Sequence, residues 1–140
     1  MKPESKMLEY KQAMTISYLK TVSAYANYGD GEIVFGIKDN GEISPIDNMN
    51  NFALSIENQI NDSFSIRPQF EIILNQNQTI TLKVFKGVST PYFYKGKAYK
   101  RSNTATVEVD DVELKRLILQ SENKSFDELE APRSTLSFTS

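Results

Sequence analysis

Four residues in the first third of the chain have the types needed for phosphate chemistry: Glu4, Glu9, Lys11 and Asp39. Glu9 and Lys11 are two apart in an alternating segment, so on a strand they share a face. Glu4 stands five residues before Glu9, a spacing that neither an ideal helix nor an ideal strand brings together, so a turn near Ser5-Lys6 must intervene. Asp39 lies just past a strand-like run, Ile33 to Ile37. If that run pairs with Met7 to Lys11, three carboxylates could converge. Such a set of hard oxygen ligands suits Mg²⁺ or Mn²⁺, which polarises a phosphate and activates water. Lys11 would then neutralise developing negative charge. The plainer reading makes Glu4 and Glu9 surface acids, Lys11 the partner of Glu9, and Asp39 the start of a turn.

A second group is basic. No acidic residue occurs from Ile72 to Val107, a stretch holding Lys83, Lys86, Lys95, Lys97, Lys100 and Arg101. The last four are interleaved with Tyr92, Phe93, Tyr94 and Tyr99. Cations of this kind neutralise phosphates, and exposed aromatics stack on unpaired bases. Alternation requires some of these rings to be core; Phe93 and Tyr99 are expected inward and Lys100 outward. The net charge of -2 carries no signal for nucleic acid, but a face of one sign is a local field even when the total is near zero. The plainer reading here is a solvated lysine surface balanced elsewhere.

The chain of 140 residues fits one domain and can bury one core without staples. It contains no cysteine and no histidine, which removes disulfides, cysteine nucleophiles, Ser-His-Asp catalysis and His/Cys zinc sites. No apolar run approaches the roughly 18 residues of a membrane span, and Met1 to Ser5 has no apolar signal core. The expected setting is soluble, intracellular and cytoplasmic.

The elements that must position these groups are legible as periodicities. Met7 to Lys11 reads as a short strand. Ile16, Leu19, Val22, Ser23 and Ala26 recur at helical spacing, and Gly29 and Gly31 end that helix, with glycine expected to supply positive φ. Asn27 is expected to cap or brace the turn. Ile33 to Ile37 reads as a central strand and Asp39-Asn40-Gly41 as a turn. Asn51 to Ile60 reads as a second helix, and Phe70 to Leu74 with Thr79 to Phe85 as a hairpin. Tyr92 to Arg101 reads as a second hairpin turning at Gly96. Asp110 can cap a third helix with Glu113 as its box partner; Val112, Leu117 and Ile118 are its expected core residues. No Walker motif occurs, and a helix precedes the glycines, so neither an ATP site nor a dinucleotide fold is supported.

Beyond Gln120 the composition turns polar, with Leu129, Leu136 and Phe138 isolated. The expected division is a domain over residues 1–119 and a linker or arm over 120–140. The abrupt end at Ser140 suggests the N-terminal part of a longer protein.

Several blocks, in order, resemble the Schlafen AlbA-like domain family, once called divergent AAA. They are Glu4-Ser5 with Glu9 and Lys11; Thr21 to Asn27; Gly29-x-Gly31; Ile33 to Ile37 with Asp39; and Pro91 to Ser102. The resemblance covers roughly residues 4 to 118. Asp30 departs from it, standing where many relatives have adjacent glycines. The resemblance implies an α+β fold, a mixed β-sheet with helices packed on it. It also implies a nucleic-acid role, since many members are described as candidate transcriptional regulators. Some animal relatives are endoribonucleases whose two glutamates and aspartate map onto Glu4, Glu9 and Asp39, with Lys11 beside them.

Three functions are weighed on this basis. The first is nucleic-acid binding, DNA or RNA, with Lys95, Lys97, Lys100 and Arg101 on phosphates and Lys20 as a weaker contact. The second is a Mg²⁺- or Mn²⁺-dependent endoribonuclease using Glu4, Glu9 and Asp39. The third is a dimerisation or protein-interaction module, a homodimer in which the tail from Ser125 to Ser140 docks on a neighbour.

Overall fold

Strand alternation decides which face of the sheet is inside. The computed structural model describes residues 2–13 and 15–130, with side chains described through residue 122. The elements run β1 (Leu8–Lys11), α1 (Tyr18–Tyr28), β2 (Gly31–Phe35), α2 (Met49–Ser63), β3 (Gln69–Leu74), β4 (Ile80–Phe85), β5 (Tyr99–Ser102), β6 (Ala105–Glu108) and α3 (Asp111–Glu130). A four-stranded mixed sheet has the order β1-β2-β4-β3, and β5 pairs with β6 in a separate small sheet. β1 is parallel to β2; the other pairs are antiparallel. The expected pairing of β1 with β2 is present.

Ile33 and Phe35 of β2 and Ile80, Leu82 and Val84 of β4 are fully buried, facing the helices. Full burial of each such side chain contributes about 1.5–3 kcal/mol. Phe35 packs edge-on to Tyr18 of α1 and Phe52 of α2, at centroid distances of 5.2 and 5.3 Å. The alternate residues Glu32, Val34, Thr81 and Lys83 are only half-buried. β2 is therefore central in order, as expected, yet covered on one face only.

α1 is buried nearly all round, with Lys20 and Tyr28 its exposed members. The reason is its place between the main sheet and the β5–β6 sheet. Ile16 falls before the helix and is exposed rather than core. Gly29 ends α1 in extended backbone (φ 172°), so positive φ is not its role; its N–H donates to the Tyr25 carbonyl at 3.0 Å. Gly31 matters through space: a Cβ there would lie 2.4 Å from the Tyr25 ring. Asp30 ties this turn across the sheet, its Oδ1 accepting from Lys86 N at 2.7 Å.

α2 is capped by Asn48, whose Oδ1 accepts from Asn51 N at 3.1 Å, and it buries Ile56 and Ile60 at the expected spacing. α3 starts as the sequence implies: Asp110 Oδ1 accepts from Glu113 N at 2.8 Å. Only Leu117 of its three expected core residues is buried; Val112 and Ile118 face solvent. The helix continues past Gln120 to Glu130. The arm expected from Ser125 to Ser140 lies outside the residues whose side chains are described. Among the described residues, no helix is long and apolar enough to cross a membrane.

Candidate functional site

The register of β1 places Glu9 opposite Ile33 and Lys11 opposite Phe35, so both lie on the helix-covered face. An unpaired carboxylate there would be strongly disfavoured. Glu9 is paired: its Oε1 accepts from Arg101 Nη1 at 2.8 Å and from Thr21 Oγ1 at 3.3 Å. Lys11 Nζ stands 3.8 Å from Oε2, and Oε2 itself has no hydrogen-bond partner among the described residues. The Glu9–Lys11 pairing of the plainer sequence reading is thus present.

Arg101 is a buried cation, its side chain only 2% exposed. Besides Glu9, Nη1 donates to Thr106 Oγ1 at 3.1 Å, Nη2 to the Ser5 carbonyl at 2.9 Å, and Nε to the Lys6 carbonyl at 3.2 Å. This guanidinium joins the segment before β1, β1 itself and β6 around α1. Its expected place on the phosphate-facing surface is corrected: four of its five N–H donors are engaged inside the chain and its side chain is buried, so its role here is structural. Beneath it lies Tyr25, whose ring centroid is 5.9 Å from the guanidinium carbon. Burial pushes the Tyr25 phenol well above the usual tyrosine value; Arg101 draws it down, and Glu9, Glu4 and Glu32 add to the rise.

Glu4 and Asp39 go elsewhere. They line one groove of about 540 Å³ together with Lys2, Tyr10, Lys38 and Asn40. Glu4 Oε2 accepts from Tyr10 N at 2.8 Å. The Tyr10 hydroxyl bonds the Lys2 carbonyl, and desolvation followed by the Glu4 charge raises its phenol. Tyr10 and Glu9 are adjacent on a strand and point to opposite faces, so the sheet separates Glu9 from this groove. Among the described residues, no group of three acidic, cysteine or histidine side chains is placed to hold a metal ion. The Glu4, Glu9 and Asp39 trio does not fit Mg²⁺ or Mn²⁺ in this arrangement, because Glu9 is turned to the interior and neutralised by Arg101.

The segment from Tyr92 to Tyr99 is fixed to α1 by hydrogen bonds between α1 side chains and its main chain. Asn27 Oδ1 accepts from Tyr92 N at 2.6 Å, while its Nδ2 reaches the Tyr92 carbonyl at 3.3 Å. Ser23 Oγ donates to that carbonyl at 2.6 Å and accepts from Tyr99 N at 3.2 Å. Asn27 braces this distant segment rather than its own turn. Ser23 and Thr21 stand in the Thr21 to Asn27 block of the family pattern but take no site role from it; their signal in the sequence is their polarity on a largely apolar helix.

The expected second hairpin is divided in two. A tight turn, Tyr94 to Lys97, closes on reciprocal backbone bonds of 2.8 and 3.1 Å, with positive φ at Lys95 and Gly96. A separate hairpin then pairs β5 with β6. Tyr92, Tyr94 and Tyr99 point inward, and Phe93, expected inward, is 41% exposed. Lys95 and Lys97 are exposed at the tip, Lys95 Nζ 5.5 Å from the Tyr94 ring centroid. Lys97 makes a loose surface pair with Glu108 at 3.5 Å, of the kind that contributes about 0–1 kcal/mol. Lys100 is half-buried and pairs with Glu113 at 2.7 Å. Lys20, exposed on α1, lies 5.7 Å from the Tyr99 ring centroid.

Comparison with known proteins agrees with this architecture. No curated protein matches the chain. Among solved structures, the DIP2311 protein from Corynebacterium diphtheriae is similar with a TM-score of 0.57 and 13% identity, over 80% of this chain. The match covers only 23% of that protein's chain, and the likeness concerns the fold alone. The N-terminal domain of a Nitrosomonas europaea protein described as related to the ATP-dependent DNA helicase RecG has a TM-score of 0.48 and 23% identity, over 73% of this chain and 82% of that one. The family model described as Schlafen, AlbA_2 matches residues 4–110, which include the Asn27 clamp, the Glu9–Arg101 pair and the exposed turn between them, and the chain belongs to that family.

Proposed function

We propose that the chain is a nucleic-acid-binding domain, the N-terminal module of a transcriptional-regulator-like protein, and that it engages its ligand through the turn Phe93 to Lys97. The observation that carries this reading is the exposure of Phe93, Lys95 and Lys97 on a turn whose flanks are bonded to α1. Two ammonium groups on a rigid base offer phosphate contacts at little entropic cost. Phe93 adds a ring for an unpaired base, which favours single-stranded ligand over duplex. Lys20, exposed beside the Tyr99 ring, is a weaker candidate contact. Lys100 contributes less, because Glu113 already neutralises it.

The test is fluorescence anisotropy with a labelled single-stranded oligonucleotide across a salt series. Lys95→Glu/Lys97→Glu is expected to weaken binding and to flatten the log–log salt dependence by about 0.7 for each phosphate no longer neutralised. Phe93→Ala is expected to cost about 1–3 kcal/mol if one base stacks there. Unchanged binding in both variants refutes this surface. The endoribonuclease reading is left with Glu4 and Asp39 in one groove and requires Glu9 to leave Arg101; RNA cleavage abolished by Glu9→Gln in a variant that remains folded would revive it.

A further inference from the structure

The two edges of the main sheet are finished differently. The N–H of Glu32 reaches the Met7 carbonyl and that of Gly36 the Lys11 carbonyl, so Leu8 and Tyr10 of β1 direct their backbone groups outward. The preceding segment takes these groups up: Ser5 exchanges hydrogen bonds of 2.9 and 3.3 Å with Leu8, and Glu4 accepts from Tyr10 N. This edge is closed within the chain.

Among the described residues the β3 edge has no such cover. Asn75 N donates to Thr79 O in the β3–β4 register, so Gln69, Glu71 and Ile73 bond toward β4. Phe70, Ile72 and Leu74 therefore direct their N–H and C=O groups away from the sheet, and among the described residues no strand lies on that side. The strand lacks lysine, proline and bulge, the usual protections of an exposed edge. Beside it runs a shallow groove lined by Ala53, Leu54, Phe70 and Leu74, with one acid, Glu57, and one base, Arg67. Leu54 is 55% exposed and Leu74 43%.

We propose that β3 pairs antiparallel with β3 of a second copy of this chain, joining two sheets into one of eight strands about a two-fold axis at Ile72. Three features favour a second copy as the occupant. The outward groups of Phe70, Ile72 and Leu74 meet their own counterparts in phase. With Ile72 opposite Ile72, Phe70 faces Leu74, Gln69 faces Asn75, and Glu71 faces Ile73, so each position meets a compatible residue. The neighbouring register, centred on Glu71, sets two carboxylates against each other and is disfavoured. A groove with one charge of each sign is also matched by its own copy. Such an interface lies below about 1,200 Å², so the association is weak and concentration-dependent.

Sedimentation equilibrium on the 140-residue chain tests this, with a concentration-dependent rise from 15.9 kDa toward twice that mass expected. Ile73 is half-buried on the open sheet face, so charges there leave the core intact. Ile73→Lys places an ammonium opposite Glu71 twice per dimer and is expected to tighten association about 2- to 30-fold; Ile73→Glu is expected to loosen it by a similar factor. The natural sequence has no cysteine, which permits a register test. Ile72→Cys meets itself across the axis at about 5.5 Å between Cα atoms and is expected to form a disulfide-linked dimer on oxidation; Glu71→Cys, about 8 Å from itself, is not. A monomer at all concentrations up to about 1 mM overturns the proposal, as does equal cross-linking of the two cysteine variants.

Discussion

The junction around Arg101 and the turn around Lys97 are four residues apart in the sequence and opposite in physical character. At the junction a cation is withdrawn from water, holds two backbone carbonyls and a hydroxyl, and neutralises Glu9. At the turn two cations stand in solvent with one loose partner between them. The difference teaches that a basic block need not be a basic surface. One charge fixes the geometry, and its neighbours are left to meet a ligand. Removing the first should destabilise the domain, and removing the others should leave its stability intact but weaken binding.

The sharpest way to break this contrast is Arg101→Ala. It strands the Glu9 carboxylate in the interior, and a loss of about 3–5 kcal/mol in urea unfolding is expected. Arg101→Ala with Glu9→Met should recover much of that loss, since the buried charge is then gone. A stability equal to wild type in the single variant would place Arg101 at the surface after all. Next in size is Gly31→Ala, whose new Cβ meets the Tyr25 ring at 2.4 Å. Overpacking there should cost about 1–3 kcal/mol, read as a lowered urea midpoint.

A pH titration sharpens the comparison further. The Tyr25 phenol is raised above its unfolded value of about 10, chiefly by burial, so the unfolded chain releases its proton first. Its contribution is intact below pH about 10 and is lost as pH rises above that value. Tyr25→Phe should reduce the alkaline slope of stability; an unchanged slope would show that Tyr25 does not control it. The smallest stability effect belongs to the turn: Lys95→Glu/Lys97→Glu should alter unfolding by less than about 0.5 kcal/mol while weakening oligonucleotide binding and flattening its salt dependence.

Much of the frame is legible in the sequence. The β3–β4 hairpin follows from two alternating runs around Asn75 to Gln78, α2 from Phe52, Ile56 and Ile60, and α3 from the Asp110 cap. These are local signals, and local physics suffices for them. The candidate site is less legible because its key hydrogen bond joins residues 92 positions apart. Nothing in the types Glu and Arg announces burial; only the β1 register, which turns Glu9 toward the helices, makes Arg101 an interior group. Phe93 departs from expectation for a related reason. The positive-φ turn at Lys95-Gly96 separates two segments with different phases, so alternation counted back from Tyr99 fails at residue 93.

The grip of Ser23 and Asn27 on Tyr92 and Tyr99 has a practical meaning for variation. Both residues hold main-chain atoms, so the loop between the two anchors is seated without reference to what it displays. Phe93, Lys95 and Lys97 can be rewritten as an interchangeable insert while the socket stays the same. A scaffold of this kind separates the problem of folding from the problem of choosing a ligand.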